Sequence, residues 1–212
     1  MKRFAFFFLL ICFLFSATSQ SQAQIAFGPK AGVNFSAMTL KSGGLAFDQN
    51  NITGFHAGVV AEFGLGGNFA LQPGFLFSTK GAGYSVSGLG EAEIKPSYLE
   101  VPVNAIYKIG AGPIHVLLMA GPYFGYGIGG TYSFSSMGQS YDEAINYGSG
   151  EDNDLKPFDF GVNVGGGVQI SRFQIVAQYG LGISNVASVT EDNTEMKNKV
   201  ISISLAYLFG MK

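Results

Sequence analysis

Val200-Ile201-Ser202-Ile203-Ser204-Leu205-Ala206-Tyr207-Leu208-Phe209 is the stretch whose reading decides the fold. One side of its alternation is bulky and apolar: Ile201, Ile203, Leu205, Tyr207 and Phe209. The other side, Val200, Ser202, Ser204, Ala206 and Leu208, is small or polar and carries no charge. A strand of a water-soluble sandwich turns its greasy side to a core and places charge on the other. A small, uncharged second side suits instead the inside of a narrow barrel whose bulky side faces lipid.

Seven earlier segments follow the same rule. They cover 25–35, 52–63, 69–80, 96–109, 114–128, 157–170 and 173–186. In 52–63, Phe55, Ala57, Val59, Ala61 and Phe63 oppose His56, Gly58, Val60 and Glu62. In 173–186, Phe173, Ile175, Ala177, Tyr179, Leu181 and Ile183 oppose Gln174, Val176, Gln178, Gly180 and Gly182. The segment 114–128 is apolar on both sides in places, and Val116, Leu118, Ala120, Phe124 and Tyr126 are assigned outward. Short turns at 64–68, 110–113 and 171–172 alternate with long connections at 36–51, 81–95, 129–156 and 187–199. Brief periplasmic turns and long external loops are the habit of membrane barrels. A tilted strand crosses a bilayer in about 9–11 residues, which each segment supplies. The sequence therefore predicts an all-β fold, an eight-stranded antiparallel transmembrane β-barrel in an up-and-down meander. An even strand number puts both chain termini on the periplasmic side.

The N-terminus stands apart from this pattern. Lys2 and Arg3 precede an unbroken apolar run over 4–15, and Ser21 and Ala23 match a small-x-small cleavage rule. This is the grammar of a secretory signal peptide over 1–23, leaving a barrel domain over 24–212. The single cysteine, Cys12, lies inside that run, so no disulfide framework is available. Charged residues are only 12% of the chain, aromatics 14%, glycines number 31 and tryptophan is absent, an unusual balance for a water-soluble domain. The formal charge of −2 becomes more negative when Lys2 and Arg3 are removed, which disfavours a nucleic-acid partner.

Several short pieces, taken in order, resemble a known family. They are Lys30-Ala31-Gly32-Val33-Asn34-Phe35-Ser36, Gly54-Phe55-His56-Ala57-Gly58, Tyr98-Leu99-Glu100-Val101-Pro102 and Gly121-Pro122-Tyr123. Asp159-Phe160-Gly161, Gly165-Gly166-Gly167, Tyr179-Gly180-Leu181-Gly182-Ile183 and Tyr207-Leu208-Phe209 complete the set. In this order they resemble the PorT-like, or porin-family, outer-membrane β-barrels of the Bacteroidota. The resemblance implies an eight-stranded barrel in the cell outer membrane, inserted by the barrel-assembly machinery. The namesake member is associated with protein secretion, while most members have no assigned activity. Here Gly210, Met211 and Lys212 follow the aromatic residue on which such barrels often end.

Inward parity gathers Lys30, His56, Glu62, Glu100 and Asp159 inside the barrel. Ionised groups in a packed lumen must pair, so three carboxylates are expected against Lys30, with His56 in support. On that reading Lys30→Met destabilises the barrel. The cluster is either a static polar core or an ion path with a switchable gate, and a packed eight-stranded interior favours the core. Glu62 and Glu100 have no nucleophile beside them. Two histidines, His56 and His115, without HExxH spacing give no zinc site, and no metal or other cofactor is implied. The acidic run 151–154 lacks the spacing of a calcium loop. Phe27, Phe69, Tyr107, Tyr126, Phe158, Phe173, Tyr207 and Phe209 sit near strand ends, as interfacial girdles do. Tyr132, Phe134, Tyr141 and Tyr147, among Ser and Gly, suit contact with a protein or a glycan.

The expected function is non-enzymatic. The protein serves as an outer-membrane anchor, adhesin or secretion-complex component acting through its external loops. A narrow channel for ions or small solutes is the alternative, opposed by inward Tyr98, Tyr123 and Leu208. A secreted lipocalin-like binder would need the reverse parity.

Overall fold

The computed structural model describes residues 25–42, 45–46, 50–86, 90–136, 139–150, 152–188 and 194–210. The expected leader over 1–23 and Glu151 of the acidic run lie outside the described residues. The strands are β1 (Ile25–Ser42), β2 (Leu45–Ala46), β3 (Ile52–Gly66), β4 (Phe69–Thr79), β5 (Ala82–Val86) and β6 (Gly90–Ala111). They continue as β7 (Ile114–Ser136), β8 (Gln139–Ala144), β9 (Phe158–Ile170), β10 (Phe173–Gly182) and β11 (Glu195–Tyr207).

Among the described residues, β1, β3, β4, β6, β7, β9, β10 and β11 each pair antiparallel with the next. The last then pairs with the first, from Lys30 opposite Ala206 to Lys41 opposite Glu195. An up-and-down ring results, with no free edge at membrane depth. Short turns close one end: Gly66 and Gly67 take positive φ between β3 and β4, a conformation that costs glycine little.

The pleat sorts the side chains by face. Phe55, Val33 and Ile203 sit opposite one another on three neighbouring strands and are 53%, 42% and 51% exposed. One residue away, Gly32 lies between His56 and Ser204 in the lumen. The exposed apolar row runs around the ring through Val59, Phe75, Val101, Leu118, Phe124, Val164 and Ile175. This surface is far larger than soluble monomers present to water. By contrast Lys30, Glu62, Lys80, Glu100 and Asp159 are all buried inside. The outward positions from Ile201 to Phe209 carry no charge, and Lys199, exposed opposite Leu181, stands above them toward the long loops.

The long connections differ from the loops expected for them. The stretch 81–95 holds β5 and the start of β6, paired from Ala82 opposite Ile94. The stretch 129–156 holds the end of β7 and all of β8, paired from Thr131 opposite Ala144. Between Ser97 and Tyr98 the β6–β7 register shifts by one residue, passing over Ile128, a bulge of the kind found at barrel rims. A four-stranded sheet, β5-β6-β7-β8, therefore continues beyond the barrel. Conversely β10 ends at Gly182, earlier than the expected 186.

Ile203 lies six residues above Phe209, near the middle of the apolar band. Ile203→Arg is expected to weaken refolding into vesicles by about 2–4 kcal/mol, the midplane value for a cation on the lipid face. Ile203→Val is expected to lose less than about 1.5 kcal/mol. Urea titration followed by the folded-band shift on gels reads both, and an arginine variant as stable as the parent would refute this orientation.

Candidate functional site

The lumen is a filled stack of layers. At the external mouth Met38, Ala82, Ile94, Ile145, Leu155 and Val186 form a buried apolar cap. Tyr147 packs against the cap, lays its ring over Gly127, and donates to Gly129 O at 3.0 Å. Tyr98 and Tyr123 lie below, fully buried.

Lys80 sits with these two rings, its Nζ 4.1 Å from the Tyr123 centroid and 5.4 Å from that of Tyr98. It pairs with Glu100 Oε2 at 2.6 Å and donates to Asp159 Oδ2 at 3.2 Å. Asp159 also accepts from Asn198 Nδ2 at 2.9 Å, Ser184 Oγ at 3.1 Å and Tyr123 OH at 3.3 Å. One carboxylate thereby ties β7, β9, β11 and the residue that follows β4 together.

In the middle layer Asn34 directs its amide N–H groups to Ser78 Oγ and Thr79 O, at 3.1 and 2.9 Å. Its Oδ1 therefore faces His56 Nδ1 at 2.8 Å, and the ring carries its proton there. His56 Nε2, 3.0 Å from Ser204 Oγ, then accepts from the hydroxyl. This bond joins β3 to β11 across β1, which is open to it because Gly32 has no side chain; a Cβ there would collide with the ring. Lys30 Nζ donates to Gln178 Oε1 at 3.3 Å.

Nearer the short turns, Glu62 accepts from Lys108 Nζ at 2.5 Å, Gln174 Nε2 at 2.8 Å and Gln72 Nε2 at 3.2 Å. It lines an open vestibule of about 560 Å³ with Lys108, His115 and Gln169. A separate cavity of about 40 Å³ lies at mid-lumen among Lys30, His56, Glu100 and Tyr123, room for one or two waters at their liquid share of about 30 Å³.

The five expected lumen residues all lie inside, yet the expected pairing is wrong. Lys30 contacts the neutral Gln178, while the carboxylates pair with Lys80 and Lys108, both left out of the expected set. Each occupies an inward position by alternation, Lys80 following Leu76 and Ser78 and Lys108 following Asn104 and Ile106. Glu62 and Glu100 belong to different layers and share no partner. Among the described residues, no group of three or more His, Cys, Asp or Glu side chains is placed to hold a metal ion. Of the acidic run, Asp154 accepts the backbone N–H of Asn146 at 2.8 Å.

Phe27, Phe69, Tyr107, Phe173, Tyr207 and Phe209 form ring contacts at the end with the short turns, with centroids 4.8–5.9 Å apart. Tyr126 and Phe158 meet edge to face at 5.2 Å on the other side of the apolar band. Leu118 is level with Tyr107 and eight residues before Tyr126. At about 3.3 Å per residue and a tilt near 40°, the belts are about 20 Å apart along the axis.

Removing Lys80 leaves two buried carboxylates uncompensated. Lys80→Met is expected to lose about 3–5 kcal/mol, more than Lys30→Met, whose direct partner is neutral. Gly32→Ala, by displacing His56, is expected to lose about 1–3 kcal/mol. Unfolding midpoints in vesicles give the order; a larger loss for Lys30→Met than for Lys80→Met would contradict the pairing.

Comparison with curated proteins returns no match. Among solved structures, the chain is similar to Ail, the attachment invasion locus protein of Yersinia pestis, in complex with the heparin analogue sucrose octasulfate. The identity is 18%, over 88% of this chain and 99% of that one, with a TM-score of 0.43. It is similar to Neisserial surface protein A at 14% identity over 87% and 99%, TM-score 0.46. It is similar to OprG of Pseudomonas aeruginosa at 8% identity over 88% and 97%, TM-score 0.46. The family model for the outer membrane protein beta-barrel domain matches residues 18–188. An apolar outer band, a polar lumen and that match together lead to one conclusion: the chain belongs to the outer membrane protein beta-barrel domain family and resides in the cell outer membrane.

Proposed function

We propose that this barrel is a non-catalytic anchor that presents an external surface to a partner, in adhesion or in a secretion complex. The observation that carries the reading is the contrast between its two ends. The external strands run on past the barrel as a sheet with exposed Tyr132, Phe134 and Tyr141. The lumen below is filled by the apolar cap, by Tyr98 and Tyr123, and by interlocked polar side chains. A channel would need those groups to move together, and displacing Lys80 alone would strand two buried carboxylates.

The PorT-like motifs support the secretion-complex form of this reading. Residues 1–23 serve as a cleaved export signal, and the barrel-assembly machinery inserts the remainder. The partner is a protein or a glycan.

The test pairs two measurements on the intact protein. Affinity isolation from its native outer membrane in mild detergent is expected to retain a stoichiometric partner that is lost when 131–144 is replaced by a short turn. Planar-bilayer recordings are expected to give no steady conductance. A steady open conductance together with no retained partner would favour the narrow channel instead.

A further inference from the structure

We propose that β8 is a docking edge for an extended, cationic polypeptide segment that adds as a further strand to the external sheet. The inference rests on the presentation reading above and names the partner's chemistry.

The sheet β5-β6-β7-β8 has two outer strands, and among the described residues only one is covered. On β5, Asn50 exchanges two backbone hydrogen bonds with Gly83, at 2.8 and 3.0 Å. On the other side, among the described residues, β8 pairs with β7 alone and ends the strand order. All six of its residues are exposed, Tyr141 at 68%. Such an edge presents unpaired backbone donors and acceptors to whatever can form a ladder with it. Its partner on β7 begins at Thr131, five residues beyond Tyr126, or about 17 Å along the strand at about 3.3 Å per residue. The edge therefore stands clear of the lipid.

The side chains of β8 select the occupant. Tyr141, Asp142 and Glu143 are consecutive, so Tyr141 and Glu143 point to one face and Asp142 to the other. No cation lies on the strand, and neither acid belongs to an ion pair among the described residues. Two strands in, beyond β7, β6 carries Glu91 and Glu93, the latter paired with Lys95 at 2.7 Å. An incoming strand with consecutive Lys or Arg residues would meet a carboxylate on each face and the Tyr141 ring beside them. Cross-strand opposite charges attract, like charges repel, and a cation over a tyrosine face is favourable. A second copy of this chain is disfavoured for the same reason: an antiparallel β8–β8 pair would bring its acids together.

The test uses the whole barrel in nanodiscs and a synthetic probe peptide of Val and Thr residues around a Lys-Arg-Lys core. The matched controls are the Glu-cored peptide, the Lys-Arg-Lys peptide N-methylated at alternate residues in either phase, and a sulfated oligosaccharide. The basic peptide is expected to bind, with affinity falling as salt rises. Methylation in one phase is expected to abolish binding, because only one set of amides faces the edge. Asp142→Lys with Glu143→Lys is expected to weaken binding by at least about tenfold, and Tyr141→Ala by about threefold. These positions are exposed, and the folded-band shift verifies that each variant barrel is intact.

Equal binding of basic and acidic peptides, indifference to methylation in both phases, or indifference to the charge reversal would each overturn the proposal. So would binding of the sulfated saccharide in place of the basic peptide. If the peptides fail while a partner captured from membranes is still lost on replacing 131–144, strand addition is refuted and the presentation reading stands.

Discussion

In hydrocarbon a peptide N–H or C=O without a partner costs several kcal/mol, and no water is present to supply one. Everything else in this structure follows from meeting that constraint with strands. The ring closes where β11 meets β1 over a long register, and closure leaves no edge within the bilayer. Once the ring is closed, the pleat sends every second side chain to lipid and every second one to the lumen. Bulky apolar residues outside and small or polar ones inside are the solution this chain adopts.

The lumen then imposes its own constraint. Eight strands enclose a space that side chains must fill, and charges in it must be matched. Among the described residues, Lys30, Lys80 and Lys108 balance Glu62, Glu100 and Asp159, and His56 is held by two neutral partners. The amides Gln72, Asn104, Gln174 and Gln178 complete the connections between layers. Such a network joins strands that are not neighbours in the ring, as Asp159 and the bond across Gly32 illustrate. It fixes the stagger of the strands and at the same time fills the path that a solute would need.

Much of this was legible in the chain. Ile201, Ile203 and Leu205 against Ser202 and Ser204 give the face of β11, and the same parity places Lys30, His56, Glu62, Glu100 and Asp159 inside. Parity fixes a face but says nothing about height, which depends on how far each strand is staggered around the ring. Lys80, just past β4, Glu100 on β6 and Asp159 on β9 converge, and that convergence is set by register alone. Pairing the acids with Lys30 failed for this reason. The extensions of β6, β7 and β8 were missed on other grounds. Outside lipid, two-sided strands need no greasy face, so the Ser-, Gly- and Tyr-rich stretch 129–144 reads as a loop although its backbone pairs as a hairpin. That hairpin is also the part of the molecule that meets the outside.

The central claim is that the bulky face meets lipid while the aromatic residues of the lumen do not. The chain has no tryptophan, so a single one can be introduced as a reporter. Ile203→Trp and Tyr98→Trp, each refolded into vesicles with lipids brominated mid-chain, provide the comparison. Strong quenching at position 203 and none at position 98 is the result this structure requires. Quenching at 98 with none at 203 would mean that the barrel has been read inside out.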